Sequence, residues 1–177
     1  FKLASKYAFM AKDTLGALSY YRNEERGYYF TGKYDSVFII NKHVRSLYRR
    51  YGYKELASVP SDLEIYIYLL QKRFVKAKYY MDISDKYFDK KYMHTNEYGI
   101  SGYHKGLYYL GVNKLDSAKY FFERELYNYS DYNNKQAAAK GLFMLYRKKK
   151  DADSIAKYSE LWNNTVDSSY AHMSTRH

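Results

Sequence analysis

The chain has no cysteine and only one proline, and each scarcity excludes a class of structure. Without cysteine the protein can form no disulfide framework, no thiol nucleophile and no thiolate zinc site. β-Sandwiches and barrels need a turn signal roughly every 8–12 residues. One Pro and nine Gly in 177 residues are too few for that pattern. No run of about 18 apolar residues occurs, so no membrane-spanning helix is predicted within the sequence. These absences favour helices.

Positive charge and tyrosine, in contrast, are abundant. Lys and Arg number 30 against 19 Asp and Glu, which gives a net charge of +11. Such a surplus favours an acidic protein segment, a nucleic acid or an anionic membrane as partner, with an ordinary basic surface as the alternative. Each of the 26 Tyr residues joins a large apolar ring to a polar tip. Tyrosine therefore suits either a core seam or a recognition groove.

No group of residues in the sequence has the pattern of a catalytic site. The chain has five histidines, at His43, His94, His104, His172 and His177. None of them stands at a metal-ligand spacing from another histidine or from a carboxylate. The sequence also contains no Gly-rich phosphate-binding loop and no nucleophile elbow. We therefore predict that the protein is not an enzyme and holds no metal and no cofactor, so that binding is its activity.

The sequence repeats itself with a period near 40 residues. Four short polar breaks each separate an aromatic-rich run from an amphipathic run. Equivalent positions after the breaks are spaced by 40, 41 and 37 residues: Ser36, Lys76, Ser117 and Ser154. A second series, before the breaks, is spaced by 40, 40 and 38: Tyr28, Tyr68, Tyr108 and Tyr146. Two series in step indicate an internal repeat.

Each repeat is predicted to be a helical hairpin, because its apolar residues recur at spacings of three and four. The first helices are expected at 15–31, 62–73, 97–110 and 132–148. We expect helix N-caps at three aspartates, Asp35, Asp116 and Asp153. Glycines inside the predicted helices indicate close approach of neighbouring helices: Gly27, Gly102, Gly106 and Gly141.

The predicted organisation is one all-α domain: a leading helix at 1–12, repeats at 13–52, 53–93, 94–130 and 131–170, and a tail at 171–177.

Two segments carry a resemblance to a known family. The segments Gly32-Lys33-Tyr34-Asp35-Ser36 and Asp116-Ser117-Ala118-Lys119-Tyr120-Phe121 resemble the inter-helix turn and second-helix start of tetratricopeptide repeats. The resemblance implies a right-handed superhelical solenoid of antiparallel hairpins, about four repeats plus a leading helix, that binds a protein or peptide. Repeats of 37–41 residues exceed that family's usual length of about 34, so a HEAT-like array is the alternative fold.

The C-terminal segment adds a narrower resemblance. Residues 141–170 are similar to bacterial tetratricopeptide regulators, in which a repeat array precedes a transmembrane helix and a signalling or DNA-binding part. The resemblance implies that the chain is the sensory or interaction region of such a regulator and lies in the periplasm; otherwise we expect a cytoplasmic protein. Because the sequence starts at Phe1 rather than Met, we expect a piece of a longer protein.

In the resembling family the first helices line the concave face. With the tyrosine series placed toward the core, we predict eight partner-binding residues there: Arg22, Arg26, Tyr29, Tyr66, Tyr103, Tyr109, Lys140 and Arg147. Guanidinium groups and tyrosine rings suit an acidic or C-terminal peptide. Two alternatives stay open. The first is self-association through the exposed leading helix. The second is nucleic-acid binding, which is less favoured because the cations are spread over both helix types.

Overall fold

The computed structural model describes residues 2–91, 99–128 and 132–174, and these ranges contain helices, turns and loops but no β-strand. The all-α prediction is therefore confirmed for them. None of the helices in these ranges is both long and apolar enough to cross a bilayer. The helices in chain order are α1 (Lys2–Met10), α2 (Thr14–Arg22), α3 (Glu25–Phe30), α4 (Tyr34–Arg50), α5 (Asp62–Leu70), α6 (Phe74–Lys91), α7 (Gly99–Gly111), α8 (Leu115–Asn128), α9 (Tyr132–Lys149) and α10 (Ala152–Ser174).

The chain divides into two compact units, Phe1–Lys91 (unit 1) and Tyr92–His177 (unit 2). In unit 1, α4 packs against both α2 and α3. The single helix expected at 15–31 is interrupted at Asn23 and Glu24. There, amide groups bond to carbonyls three residues back, as in Gly27 N–H to the Glu24 carbonyl at 3.1 Å. This tighter winding separates α2 from α3 without reversing the chain.

The same turn closes the four predicted hairpins, and it explains the repeat. It also joins α1 to α2, where Lys12 has φ 63° and the Asp13 amide bonds to the Ala8 carbonyl at 2.9 Å. After α3, α5, α7 and α9 the chain passes through one residue with positive φ: Gly32 (72°), Lys72 (57°), Asn113 (63°) and Lys150 (58°). The next amide then bonds to the carbonyl five residues back, for example Lys33 N–H to the Tyr28 carbonyl at 2.9 Å. This is the Schellman arrangement, which satisfies carbonyls at a helix end. Each of the four left-handed residues in the predicted hairpins stands four positions before a member of the predicted series Ser36, Lys76, Ser117 and Ser154.

The predicted tyrosine series was wrong at one member. Tyr109, not Tyr108, is equivalent to Tyr28, Tyr68 and Tyr146, because its carbonyl receives the turn hydrogen bond from Lys114 at 2.8 Å. Three of the four corrected residues also carry a recurring ring pair, in which each tyrosine is stacked on an aromatic residue twelve positions later. The pairs are Tyr68–Tyr80 (5.5 Å between centroids, 4° between planes), Tyr109–Phe121 (5.4 Å, 5°) and Tyr146–Tyr158 (5.3 Å, 8°).

The predicted helix caps also need correction. Asp35, Asp116 and Asp153 lie inside the first turns of α4, α8 and α10 rather than at the N-cap positions. The cap of α10 is Asp151, whose Oδ1 accepts from the Ser154 amide at 3.2 Å and whose Oδ2 accepts from the Ser154 hydroxyl at 2.8 Å. The hydrogen bonds of Ser154 hold the pKa of Asp151 below its ordinary value.

In unit 2 the core is centred on Phe122, which is fully buried. A Cβ at Gly106 or Gly141 would lie 2.3 or 2.4 Å from its ring. The absence of side chains at these positions therefore lets α7 and α9 approach Phe122 of α8 closely. The expected reason for glycine does not apply at Gly27, where a Cβ would meet nothing within 4 Å.

Candidate binding surface

Unit 1 presents an aromatic and apolar surface on two first helices that contact each other, α3 and α5. We name it the first-helix face and define it by Arg26, Tyr29, Phe30, Tyr66 and Leu70. Phe30 is 81% exposed and Leu70 is 48% exposed, although both are large apolar side chains. Arg26 is exposed, and the two tyrosines are half-buried. Single exposed apolar residues are common, but a contiguous group of them marks an interaction surface.

Tyr29 is the centre of this face. Its ring lies 5.9 Å from the ring of Tyr66, 5.5 Å from that of Phe30, and is stacked at 5.9 Å on Tyr34. Burial, followed by the neighbouring Tyr66 and Tyr34 hydroxyls, raises the pKa of Tyr29 to about 12. The phenol therefore stays neutral at physiological pH. The packed rings form a rigid, uncharged platform whose hydroxyl groups supply polar contacts at low entropic cost.

A buried polar network fixes the position of α5 relative to α3. The carboxylate of Glu25 on α3 accepts from the Ser61 hydroxyl at 2.7 Å and from the Asn41 side-chain amide. Ser61 in turn caps α5 by accepting from the Glu64 amide at 3.1 Å, and Glu64 completes a reciprocal capping box. Arg45 on α4 donates two hydrogen bonds to Glu64. Because each acid has a specific partner, the two first helices are held in a defined register.

The two buried acids of this network have different partners. Glu25 is 6% exposed, and burial raises its pKa despite the opposing hydrogen bonds from Ser61 and Asn41. Glu64 is 1% exposed and pairs with the Arg45 guanidinium. The network uses all these groups within unit 1, so they are not available to a ligand.

The predicted partner-binding residues of unit 1 do not all share one surface. Arg26, Tyr29 and Tyr66 lie on the first-helix face. Arg22 instead contacts its own unit: its guanidinium donates to the Val59 carbonyl at 3.4 Å and lies 5.2 Å above the Tyr48 ring. Its role in partner binding stays a prediction, although the geometry gives it a packing role.

The four predicted residues of unit 2 divide into two kinds. Tyr103 and Tyr109 pack against the core, with ring centroids 5.9 Å from Phe122 and 5.4 Å from Phe121 respectively. On α9, the Lys140 ammonium lies 5.4 Å above the Trp162 ring, and the Arg147 guanidinium lies 5.5 Å from the Phe143 ring centroid. The α9 cations are thus supported by aromatic rings, as the residues of a preorganised anion-binding surface would be. Whether they bind a partner stays a prediction.

Sequence reasoning missed Phe30, Tyr34 and Leu70. A signal for two of them existed, because Phe30 and Leu70 each follow a member of the tyrosine series by two residues. Both also stand two positions before the left-handed residue of a turn. Phe30 and Leu70 were not predicted because the acidic partner inferred from the net charge favours arginine and tyrosine over purely apolar side chains.

One further group of unit 2 has unusual electrostatics. The Glu125 side chain is 1% exposed, and neither carboxylate oxygen accepts a hydrogen bond. The nearest cation is Arg124, with Nη2 at 3.8 Å from Oε1. Burial raises the pKa of Glu125 to about 7, against the lowering influence of Arg124 and Lys105.

Among the residues that the structure describes, no three His, Asp or Glu side chains converge as metal ligands would. Comparisons with protein-family models, with curated proteins and with solved structures find no match to this chain. The geometry of the described residues is therefore the basis for a function.

Proposed function

We propose that this protein is a tetratricopeptide-like repeat module that binds an extended segment of another protein. The observation that carries the proposal is the first-helix face of unit 1. Exposed Arg26 and Phe30 lie within one turn of Tyr29 on α3, exposed Leu70 lies one turn after Tyr66 on α5, and the two tyrosine rings are 5.9 Å apart. Aromatic and arginine side chains supply most of the binding energy in protein interfaces. The buried Glu25–Ser61–Glu64 network holds both helices in place, so little ordering is needed on binding.

The chemistry of this face indicates a partner with two features. Arg26 offers a planar fork of donors that matches a carboxylate, which an acidic side chain or a C-terminus supplies. Phe30 and Leu70 offer apolar area that an aliphatic or aromatic side chain would cover. We therefore expect an acidic residue or C-terminal carboxylate within a few positions of an apolar anchor in the bound segment.

The recurring turns and ring pairs support the wider architectural proposal. We propose that the hairpins form a right-handed superhelical solenoid of the tetratricopeptide kind, with a HEAT-like array as the alternative. We also propose, on the sequence resemblance of residues 141–170, that the module is the sensory or interaction region of a larger bacterial regulator.

A peptide-selection experiment tests the proposed function. A random peptide library is selected on the wild-type protein, and the recovered peptides are measured by calorimetry against an Arg26→Ala/Tyr66→Ala variant. We expect affinity to fall about tenfold or more, since truncation of central aromatic and arginine residues typically costs over 1 kcal/mol. The matched control is Arg50→Ala/Tyr20→Ala, which removes the same residue types from exposed positions elsewhere in unit 1.

Peptides that bind the wild type and the control equally but lose affinity for the Arg26/Tyr66 variant support the proposal. If the recovered peptides bind all three proteins alike, the first-helix face is not the binding site. Circular dichroism and thermal unfolding of each variant show that the loss does not come from unfolding.

Self-association is a second candidate, because α1 exposes an apolar stripe. Leu3, Tyr7 and Met10 are 63%, 60% and 68% exposed, and their spacing of four and three residues places them on one face. Sedimentation equilibrium tests this candidate. A mass that rises with concentration in the wild type and not in a Tyr7→Asp variant would support it, whereas a monomeric wild type at high concentration would exclude it.

A further inference from the structure

The end of the α5–α6 hairpin carries a second surface, which shares Leu70 and Phe30 with the proposed peptide site and otherwise consists of different residues. Three cations stand within five residues of one another there, Lys72, Arg73 and Lys76. Among the described residues, none of them is paired with a carboxylate. Arg73 and Lys76 lie over the Tyr68 ring at 5.2 and 4.8 Å, which holds both charges at this end of the hairpin. We name this region the α5–α6 tip.

Apolar side chains project from the same tip. Val75 is 89% exposed, Tyr79 is 62% exposed and Leu70 is 48% exposed. An open hollow of about 520 Å³ lies between the cations and these residues. Its lining is Lys72, Arg73, Phe74, Val75, Lys76 and Tyr79. Cationic and apolar groups are therefore interleaved on a single small surface.

The repeat provides an internal comparison. At the position of Val75, three residues after the left-handed residue, three of the other turns carry aspartate: Asp35, Asp116 and Asp153. The α1–α2 turn carries Leu15, which is 41% exposed. The hairpin fold therefore does not require an apolar residue there. At the α5–α6 tip the acid is replaced by an exposed valine that stands among three cations.

The adjoining turn of unit 1 extends the surface. The α3–α4 turn places Phe30, which is 81% exposed, and Lys33 at the equivalent end of the neighbouring hairpin. The acid of that turn is Asp35. The two hairpin ends, counted together, still carry more positive than negative charges. Two adjacent hairpin ends thus expose apolar side chains next to lysine and arginine.

We propose that this edge of unit 1 docks on an anionic lipid bilayer. Val75 and Leu70 enter the interface between headgroups and acyl chains, while Lys72, Arg73 and Lys76 contact lipid phosphates. Apolar insertion combined with electrostatic attraction to anionic lipid is how peripheral proteins bind membranes. A bilayer fits better than a folded protein partner because the apolar atoms stand at the ends of hairpins, without walls that would enclose a peptide.

Vesicle sedimentation tests the proposal with the whole chain. We expect binding to vesicles of phosphatidylcholine with about 30% phosphatidylglycerol and little binding to phosphatidylcholine alone. Lys72→Glu and Val75→Asp should each weaken partitioning about tenfold or more, because one reverses a charge and the other places a charge in the interface. The matched controls are Lys54→Glu and Leu3→Asp, which make the same kinds of change at exposed positions outside the α3–α4 and α5–α6 hairpins.

Insertion is measured separately from adsorption. A Trp162→Phe/Val75→Trp variant carries its only tryptophan at the tip, since the chain has one Trp. We expect its fluorescence to shift to the blue on anionic vesicles and to be quenched by lipids with brominated acyl chains. Binding without quenching, or equal displacement by soluble polyglutamate, would overturn the proposal in favour of an anionic protein or polymer.

Absence of binding to anionic vesicles would overturn it as well, as would equal losses in the tip variants and their controls. The proposed peptide site is tested at Arg26 and Tyr66, which none of these variants changes. Failure of one proposal therefore leaves the other intact.

Discussion

The buried carboxyl group of Glu125 makes the stability of unit 2 depend on pH in a direction that one substitution can reverse. The carboxylate lies against Gly102 of α7, where a Cβ would stand only 1.9 Å from Oε1. No hydrogen bond compensates for its removal from water. Substitution of Glu125 by Gln keeps the shape of the side chain and removes the ionisation.

The expected magnitude follows from the pKa. Burial raises it from an ordinary value of 4.5 to about 7, so between these values the native state binds more protons than the unfolded state. Stability therefore falls as pH rises through this window and stays lowered above it. A pKa raised by about 2.5 corresponds to at most about 3.5 kcal/mol, since each pKa unit is worth about 1.4 kcal/mol. Glu125→Gln should therefore raise the free energy of unfolding by up to that amount at about pH 8.5 and by almost nothing at about pH 4.5.

Urea unfolding followed by tryptophan fluorescence measures this difference, because the one Trp, Trp162, lies in unit 2. The control is Glu123→Gln, which removes a partly exposed acid whose partner Lys119 lies at 3.7 Å. Such a surface pair contributes about 0–1 kcal/mol, so the control should change little with pH. If wild type and Glu125→Gln lose stability in parallel between about pH 5 and pH 8, the reasoning from burial is refuted.

Three further predictions, which use five substitutions, test the fold. Gly106→Ala should destabilise the protein by about 1–3 kcal/mol because the added Cβ collides with the buried Phe122 ring, whereas Gly27→Ala should stabilise it by up to about 1 kcal/mol because its Cβ meets nothing. Equal effects of the two substitutions on thermal unfolding would contradict this packing. Lys150→Gly should stabilise the protein by about 1 kcal/mol because glycine adopts φ 58° without strain, whereas Lys149→Gly, inside α9, should destabilise it by a similar amount. If both substitutions change the free energy of unfolding in urea in the same direction, the left-handed turn is disproved. Ser61→Ala should lower the free energy of unfolding by about 2–3 kcal/mol because it removes the cap of α5 and the hydrogen bond to buried Glu25. A loss below about 0.5 kcal/mol in calorimetry would disprove the network.

The sequence by itself determined the helical class and the position of the turns. Helices require only local spacing of apolar residues, and the Schellman turn closes hydrogen bonds within five or six residues. The series Ser36, Lys76, Ser117 and Ser154 therefore fell four positions after the left-handed residue in each of the four predicted hairpin turns. Composition left tyrosine to either a core seam or a recognition groove, and the recurring ring pairs place Tyr68, Tyr109 and Tyr146 in the packing between paired helices.

The direction of individual side chains was decided only by the tertiary structure. Tyr108 and Tyr109 are adjacent tyrosines, and the end of α7 decided which of them stacks on Phe121. Arg22 was expected at a surface, but the loop carbonyl of Val59 and the Tyr48 ring hold it against unit 1. The physical reason is that burial, hydrogen bonding and pKa depend on neighbours far away in the chain, as with Ser61 and Glu25, which are bonded across 36 residues. Local sequence fixes where a helix begins and ends, whereas contacts between helices fix what its side chains meet.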